Sequence, residues 1–201
     1  MKLRKALLTV LASVLMSVGV VVITAAPSYA ADPAPMPTGV VVKLIVLGSG
    51  KCLEVEPGPG GVTSWDGLRL WQQPCNGSSI QNWTFYYAGS GDPPGENCSW
   101  WSPCPSIPRY QIVNQATGKC IDLNNGYPAD GTPIQQWTCV VTANQQWGAF
   151  FGETDYTYAL RNAGTGNCMD MTWDSYASGA ELQEFHCTSY NEAQRFALAP
   201  L

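Results

Sequence analysis

The sequence predicts an all-β domain built from three copies of one unit. Each unit opens on Gly-(Lys/Asn)-Cys and closes on Gln-x-(Trp/Phe), with a second cysteine between these motifs, at residues 50–83, 118–147 and 166–196. Short runs rich in β-branched residues are bounded by Gly, Asn and Ser, which is typical of strands and turns. A layered pattern that recurs at this period indicates a repeat architecture.

Residues 1–30 are typical of a secretory signal peptide. Three basic residues precede an apolar run over residues 6–26, and Ser28-Tyr29-Ala30 places small residues where a signal peptidase cleaves. The run is long enough to span a bilayer, so an uncleaved anchor is the alternative. In either case we expect the repeats to be exported, and after cleavage the protein is predicted to be secreted and extracellular.

The rest of the chain divides into a leader, three repeats and one insertion. Three prolines within residues 31–38 predict an extended, flexible leader. The run Val40 to Val46 then predicts the first strand. The predicted domain covers residues 39–201, with the first repeat at 39–87, an insertion at 88–108, the second repeat at 109–155 and the third repeat at 156–201.

The insertion is rich in Gly and Pro and contains Asn97-Cys98-Ser99-Trp100-Trp101-Ser102-Pro103-Cys104. We expect a surface loop that its own disulfide closes. Two adjacent tryptophans on such a loop are either a platform for a ligand or a local apolar plug that folds back over a lobe. The sequence leaves both interpretations open.

The charge and composition favour a neutral ligand. Removal of residues 1–30 takes three basic residues and no acidic one, which leaves 7 basic against 15 acidic residues and a net charge of −8. Nucleic acid is not expected as a partner because phosphate binding needs clustered Lys and Arg. No membrane insertion is predicted after signal cleavage, and no cofactor is expected. A metal site is disfavoured because the sequence contains no Cys-x-x-Cys and a single histidine.

The repeats resemble the ricin-B-type β-trefoil lectins. The resemblance rests on Cys-x-(Asp/Glu), a Gly-containing loop, a second Cys and Gln-x-(Trp/Phe), three times in register over nearly the whole predicted mature chain. It implies a β-trefoil, which is a six-stranded barrel capped by three hairpins, with three pseudo-equivalent lobes and sugar sites on the lobes.

Eight cysteines in an exported protein predict disulfides. Spacing alone does not determine the connectivity, and the repeat favours one pair within each lobe. The predicted pairs are Cys52–Cys75, Cys120–Cys139 and Cys168–Cys187, which leaves Cys98–Cys104 in the insertion.

The second repeat matches every sugar-binding position that the resemblance implies. These positions are Asp122, Gln135, Trp137, Asn144 and Gln145. The carboxylate would accept from ring hydroxyls, the tryptophan would stack on the ring's C–H face, and the amides would complete the rim. The alternative is that Asp122 caps a turn while Trp137 packs in the core.

The third repeat keeps Asp170, Gln183 and Phe185 as predicted site residues. Ala193 stands where the family has Asn, so one sugar hydroxyl would lose a partner worth about 1 kcal/mol. Asn191 lies two residues earlier and would replace that amide if the loop bulges.

The first repeat departs furthest from the family pattern. Glu54 replaces Asp, Gln73 replaces the aromatic residue, and Ile80 replaces Asn. We expect no sugar site of the family's kind in this lobe, and a structural role for Trp65 and Trp71.

The resemblance implies that Trp83, Trp147 and Phe196 pack in the core rather than bind ligand.

The predicted function is a non-catalytic lectin for galactoside-like sugars or plant-type polysaccharide, with carbohydrate as its partner. The alternative is a protein-binding trefoil, an inhibitor or a delivery subunit, with a secreted protein as partner. An enzyme is not expected because glycosidases need two carboxyl groups within about 5 to 10 Å, and equivalent aspartates on different lobes lie too far apart.

Overall fold

The computed structural model describes residues 36, 38–93, 96, 98–99, 102–152 and 154–201. The predicted signal peptide with its apolar run, nearly all of the leader, and Trp100 and Trp101 lie outside these residues. Within the described part, no helix is long and apolar enough to cross a membrane.

The described residues form twelve strands: β1 (Val41–Val46), β2 (Cys52–Val55), β3 (Leu70–Gln73), β4 (Asn82–Gly91), β5 (Ile107–Asn114), β6 (Cys120–Leu123), β7 (Thr132–Trp137), β8 (Trp147–Gly152), β9 (Thr157–Asn162), β10 (Cys168–Met171), β11 (Leu182–Phe185) and β12 (Phe196–Pro200).

Six of the described strands close into a barrel. Strand β1 pairs with β4 and β12, β5 pairs with β4 and β8, and β9 pairs with β8 and β12, always antiparallel. The other strands form the hairpins β2–β3, β6–β7 and β10–β11, which contact one another in a ring. The predicted β-trefoil is confirmed.

The glycine that opens each repeat makes the turn from a barrel strand into a hairpin. Gly50, Gly118 and Gly166 have φ angles of 66°, 67° and 82°. Side chains other than Gly are strained in this left-handed region. The glycine N–H donates back to the barrel strand, for example from Gly118 to the Asn114 carbonyl at 2.9 Å. The Gly-(Lys/Asn)-Cys motif is therefore a turn signal.

The closing aromatic residues of the three repeats meet in the core. Trp83, Trp147 and Phe196 are fully buried. The indole N–H of Trp83 donates to the Leu53 carbonyl at 3.0 Å, and that of Trp147 donates to the Ile121 carbonyl at 3.2 Å. Each tryptophan thus ties the barrel to the hairpin of its own lobe, and their predicted core position is confirmed.

All eight cysteines are paired, and the four predicted disulfides are confirmed. Their Cα–Cα distances, 5.0 to 5.4 Å, are ordinary for disulfides. The pairs are Cys52–Cys75, Cys98–Cys104, Cys120–Cys139 and Cys168–Cys187.

The insertion is an extension of a barrel hairpin. Strands β4 and β5 remain paired as far as Gly91 and Ile107, so the predicted edges of the insertion at residues 88 and 108 fall inside this hairpin. Continued strand pairing satisfies backbone groups that a loop would leave open. The disulfide Cys98–Cys104 lies in the intervening segment, outside all the strands.

Each lobe lays a loop against the hairpin of the next lobe, and we call this contact the interlobe clasp. In every case a loop glycine with positive φ donates its N–H to the carbonyl of a buried hairpin residue at 2.9 Å. Each cleft described below is therefore bordered by a neighbouring lobe. The glycine and hairpin residues are Gly67 with Gln136, Gly131 with Glu184, and Gly179 with Gln72.

Candidate functional site

Asp122 is the centre of a polar network in the second lobe. It lies on β6 directly opposite Gln135 on β7, so the two side chains share a face. Gln135 Nε2 donates to Asp122 Oδ1 at 3.0 Å. Asn144 Nδ2 and Gln145 Nε2 donate to Asp122 Oδ2 at 2.8 and 3.0 Å. The structure therefore brings four of the five predicted residues of this lobe together around one carboxylate.

The carboxylate of Asp122 is almost wholly buried. Burial raises its pKa above the ordinary value, the hydrogen bonds from Gln135 and Gln145 oppose that rise, and nearby Asp66 adds to it. Three amide donors hold the group in one orientation, so its remaining lone-pair capacity is aimed at the cleft above it.

Trp137 forms the apolar wall beside this carboxylate. It is the last residue of β7 and its side chain is 42% exposed, so it does not pack in the core as the alternative proposed. Gly67 of the first lobe borders the ring, since a Cβ added there would lie 3.7 Å from Trp137 Cζ3. The second-lobe cleft has a volume of about 240 Å³ and is lined by Asp122, Asn125, Gln135, Trp137, Val140, Thr142 and Asn144.

Gln145 has a structural task in addition to its contact with Asp122. It is fully buried, its Oε1 accepts from the Val140 N–H at 2.7 Å, and its Nε2 donates to the Thr138 carbonyl at 3.1 Å. Gln81 and Gln194 make the equivalent pair of bonds in their lobes. The glutamine of Gln-x-(Trp/Phe) thus binds the backbone on both sides of the second cysteine. In the second lobe, Gln145 also positions Asp122 through its hydrogen bond to Oδ2.

The third lobe repeats the carboxylate with fewer donors. Gln183 Nε2 donates to Asp170 Oδ1 at 2.8 Å, but Oδ2 is buried without a hydrogen-bond partner among the described residues. Burial raises the pKa of Asp170, while Gln183 and the nearby amide of Gln194 oppose that rise, although Gln194 does not reach hydrogen-bond geometry. Ala193 supplies no amide at the place of Asn144, which accounts for one of the missing donors.

Asn191 does not replace the missing amide. Its Nδ2 donates to Asp174 Oδ1 at 3.0 Å, and its Oδ1 accepts from the Ala193 N–H at 2.8 Å, which caps a short 3₁₀ turn. The side chain still lines the third-lobe cleft. It therefore serves the edge of the cleft rather than its central carboxylate.

The third-lobe cleft is the larger of the two. Its volume is about 610 Å³, and the interlobe clasp contributes Asp130 and Gly131 to its wall. Trp173 also lines it and was not predicted from the sequence. The sequence did contain one signal for it. Trp173 follows Cys168 by as many residues as Asn125 follows Cys120, and Asn125 lines the second-lobe cleft. The full lining is Asp130, Gly131, Asp170, Trp173, Asp174, Gln183, Phe185, Thr188 and Asn191.

The first lobe uses its acidic residue internally. Trp71 Nε1 donates to Glu54 Oε1 at 3.3 Å, and Gln81 Nε2 donates to Glu54 Oε2 at 2.7 Å. The predicted structural role of Trp71 agrees with this contact. Gln73 stands at the place of the aromatic wall, and Trp65 lies 48% exposed on the loop that borders the second lobe.

Comparison with known proteins places the chain in a family. The family described as ricin-type beta-trefoil lectin domain-like matches residues 34–137, 97–185 and 143–201. A curated relative, nigrin b of Sambucus nigra, is 53% identical over 30 residues, which is 15% of this chain and 5% of that protein. This chain therefore spans only a small part of that relative.

Two solved structures share the fold. The designed threefold-symmetric protein ThreeFoil matches with a TM-score of 0.64 and 25% identity, over 80% of this chain and 99% of that chain. The ricin B-like lectin of Macrolepiota procera, solved in complex with lactose, matches with a TM-score of 0.61 and 14% identity, over 84% and 100%. With three overlapping family matches and the barrel described above, this chain belongs to the ricin-type β-trefoil lectin domain-like family.

Proposed function

We propose that this protein is a secreted, non-catalytic lectin that binds neutral galactoside-like sugars or plant-type polysaccharide through its second and third lobes. The observation that carries the proposal is the second-lobe cleft, where an oriented carboxylate lies beside an exposed tryptophan face. A pyranose presents a C–H face to such a ring and hydroxyls to such a rim. The signal peptide predicted at residues 1–30 and the four disulfides support secretion.

The second-lobe cleft supplies both acceptors and a stacking plane. Trp137 would cover the apolar face of one ring, while the carboxylate of Asp122 accepts a hydroxyl proton. The amide oxygens of Gln135 and Asn144 have no donor among the described residues, so they are available to further hydroxyls. A single shallow site of this kind implies a Kd near 1 mM, or about −4 kcal/mol.

Binding without catalysis fits the carboxylates of both clefts. Asp122 is the single carboxylate that lines the second-lobe cleft. In the third-lobe cleft Asp130 is paired with His186 Nδ1 at 2.8 Å and Asp174 with Asn191, while Asp170 accepts from Gln183 through Oδ1 only. Glycosidases instead keep one carboxyl group free to donate a proton and another free to attack or activate water. Release of reducing sugar from galactan or xylan would contradict this part of the proposal.

The proposal is tested by replacing Trp137 rather than Asp122. Asp122→Ala would strand three amides and disturb the lobe, whereas Trp137→Ala removes an exposed ring. Titration with galactose, lactose, xylotetraose and soluble galactan, followed by NMR at the side-chain amide of Asn144 in the second lobe, should show at least a tenfold loss of affinity for Trp137→Ala, with Tm within about 2 °C of wild type. Lactose is included because the Macrolepiota lectin was solved with it.

Trp65→Ala is the matched control. Trp65 is similarly exposed but does not line the second-lobe cleft, so its removal should leave affinity unchanged. Equal affinities in wild type and Trp137→Ala would remove the second lobe from the proposal. If wild type binds no glycan, the protein-binding alternative becomes the one to pursue, through the insertion whose Trp100 and Trp101 lie outside the described residues.

A further inference from the structure

The third-lobe cleft adjoins another cleft, which we call the side cleft and which none of the predicted sugar-binding residues lines. This side cleft has a volume of about 400 Å³ and lies between the turn after β1 and the loops of the third lobe. Both clefts are lined by Asp174 and Asn191, whose 3.0 Å hydrogen bond stands between them. Pockets that bury an organic ligand measure roughly 300 to 1,000 Å³. Both clefts fall in this range.

Three exposed aromatic side chains surround the paired clefts. Trp173 lines the third-lobe cleft and is 91% exposed, and Tyr190 lines the side cleft and is 90% exposed. Tyr176 also lines the side cleft and lies over Gly48, where an added Cβ would be 3.2 Å from the tyrosine ring. Large apolar rings clustered on a surface are unusual in a monomer and mark interaction sites.

Two of these aromatic residues occupy strained backbone. Trp173 has a φ of 60° and Tyr190 a φ of 62°, in the left-handed region that bulky residues rarely adopt. The first and second lobes place Gly60 and Asn125, which tolerate this region, at the position of Trp173. Turn formation alone therefore does not account for a tryptophan here, and strain kept at a cleft indicates a functional use.

We propose that the third lobe binds a neutral oligosaccharide of at least two pyranose units, with one ring in the third-lobe cleft against Trp173 and Phe185 and the next in the side cleft against Tyr190. This inference rests on the proposed lectin function and assigns the ligand length for one lobe. The bond between Asp174 and Asn191 offers acceptors and donors at the junction between the two rings.

The charge of the surface selects neutral glycans. Asp130, Asp170 and Asp174 line the third-lobe cleft, and Glu192 lines the side cleft. Among the lining residues of the two clefts no Lys or Arg is present to pair with a uronate or a sialic acid. Like charges at short range oppose binding, so anionic sugars should be rejected.

The test uses Trp137→Ala as the parent, so that the second lobe does not contribute. Galactose, galactotetraose, xylose and xylotetraose are titrated into the parent, Trp173→Asn and Tyr190→Gly. Trp173→Asn installs the residue of the second lobe, and both changes relieve left-handed strain, so Tm should stay level or rise. Each should weaken binding of the preferred tetrasaccharide at least tenfold, and Tyr190→Gly should leave monosaccharide binding within about twofold.

Tyr156→Asn is the matched control, because Tyr156 is exposed and left-handed but lines neither cleft. It should bind as the parent does. The inference is overturned if the parent binds tetrasaccharide no better than monosaccharide, or if the two variants bind as the parent does. Binding by wild type that vanishes in the parent also overturns it while the lectin function stands, whereas a wild type that binds no sugar contradicts both proposals.

Discussion

The same aspartate has two different surroundings in the second and third lobes. Asp122 accepts from three side-chain amides, two of them on Oδ2. Asp170 accepts from Gln183 on Oδ1, while its buried Oδ2 has no partner among the described residues. A buried acceptor without a donor costs about 1 to 3 kcal/mol. The third lobe therefore carries an energetic cost that the second lobe avoids.

This difference predicts opposite outcomes for one substitution. Asp122→Asn places an NH2 group against at least one of the amide donors and removes the charge that the three amides stabilise, so it should lower the free energy of unfolding by about 1 to 3 kcal/mol. Asp170→Asn removes a buried charge and opposes no donor, so it should leave stability unchanged or raise it. Urea unfolding at pH 7, followed by tryptophan fluorescence, measures both. Equal losses in the two variants would mean that Asp170 Oδ2 is satisfied in solution.

At the scale of elements, the interlobe clasp is repeated with one chemical exception. The buried side chain of Gln72 donates to the carbonyls of Ser175 and Ala177 at 2.6 and 2.9 Å, and Gln136 donates likewise to the loop of the first lobe. The third clasp has Glu184 at this position. Its Oε1 accepts from the Thr165 hydroxyl, and its Oε2 is buried without a partner among the described residues.

An ionised Glu184 cannot donate to the loop carbonyls that its two counterparts bind. Burial raises the pKa of Glu184, the hydrogen bond from Thr165 and the nearby amide of Asn167 oppose this rise, and Asp130 adds to it. Because the folded pKa exceeds the unfolded value, the folded state holds the proton more tightly. The stability that this proton contributes is fully present below the pKa of Glu184 in the unfolded chain, and it is lost as the pH rises through the pKa of Glu184 in the folded protein.

Glu184→Gln should therefore stabilise the protein in a pH-dependent way. The amide can make the two bonds that Gln72 and Gln136 make, whatever the pH. We expect the variant and wild type to have similar free energies of unfolding near pH 4. Above pH 4 the variant should become the more stable of the two, by about 1 to 3 kcal/mol at pH 7. Calorimetry from pH 4 to 8 measures this. Gln136→Glu is the converse control and should become less stable as the pH rises. A constant difference across that range would contradict this prediction, because it would mean that Glu184 has the same pKa in the folded and the unfolded protein.

The sequence predicts those elements that the repeat marks locally. Glycine before cysteine specifies the turn into each hairpin, and the closing tryptophans specify the core, so barrel, hairpins and disulfides follow. The interlobe clasp could not be predicted, because Gln136 and Glu184 meet loops about fifty to seventy residues away. Trp173 was missed because its exposure depends on the left-handed backbone of a 3₁₀ turn rather than on a hydrophobic period.

At the scale of the whole molecule, the four disulfides should differ in what they stabilise. Cys120–Cys139 spans 19 residues and ties a hairpin to the segment that leads back into the barrel, whereas Cys98–Cys104 spans 6 residues outside the strands. In the chain-entropy model the longer loop contributes about 3 kcal/mol. The same model gives about 2 kcal/mol for the shorter loop.

Paired serine substitutions separate these roles. Cys120→Ser with Cys139→Ser should lower the free energy of unfolding by about 3 kcal/mol, and Cys98→Ser with Cys104→Ser by about 2 kcal/mol. Guanidinium unfolding of both variants beside wild type provides the measurement. A loss for the second pair greater than that for the first would show that the insertion packs on the barrel and contributes to its stability.

The pairing of β1 with β12 has a consequence for rearranging the chain. Val42 lies opposite Pro200 and Val46 opposite Phe196, so the first and last strands are joined as neighbours. A short peptide can therefore connect them, and the chain can be reopened between residues 98 and 104 without cutting a strand. Such a circular permutant would keep all six barrel pairings and all three clefts. The three lobes thus form a closed cycle in which their order along the chain is a matter of where the cycle is cut.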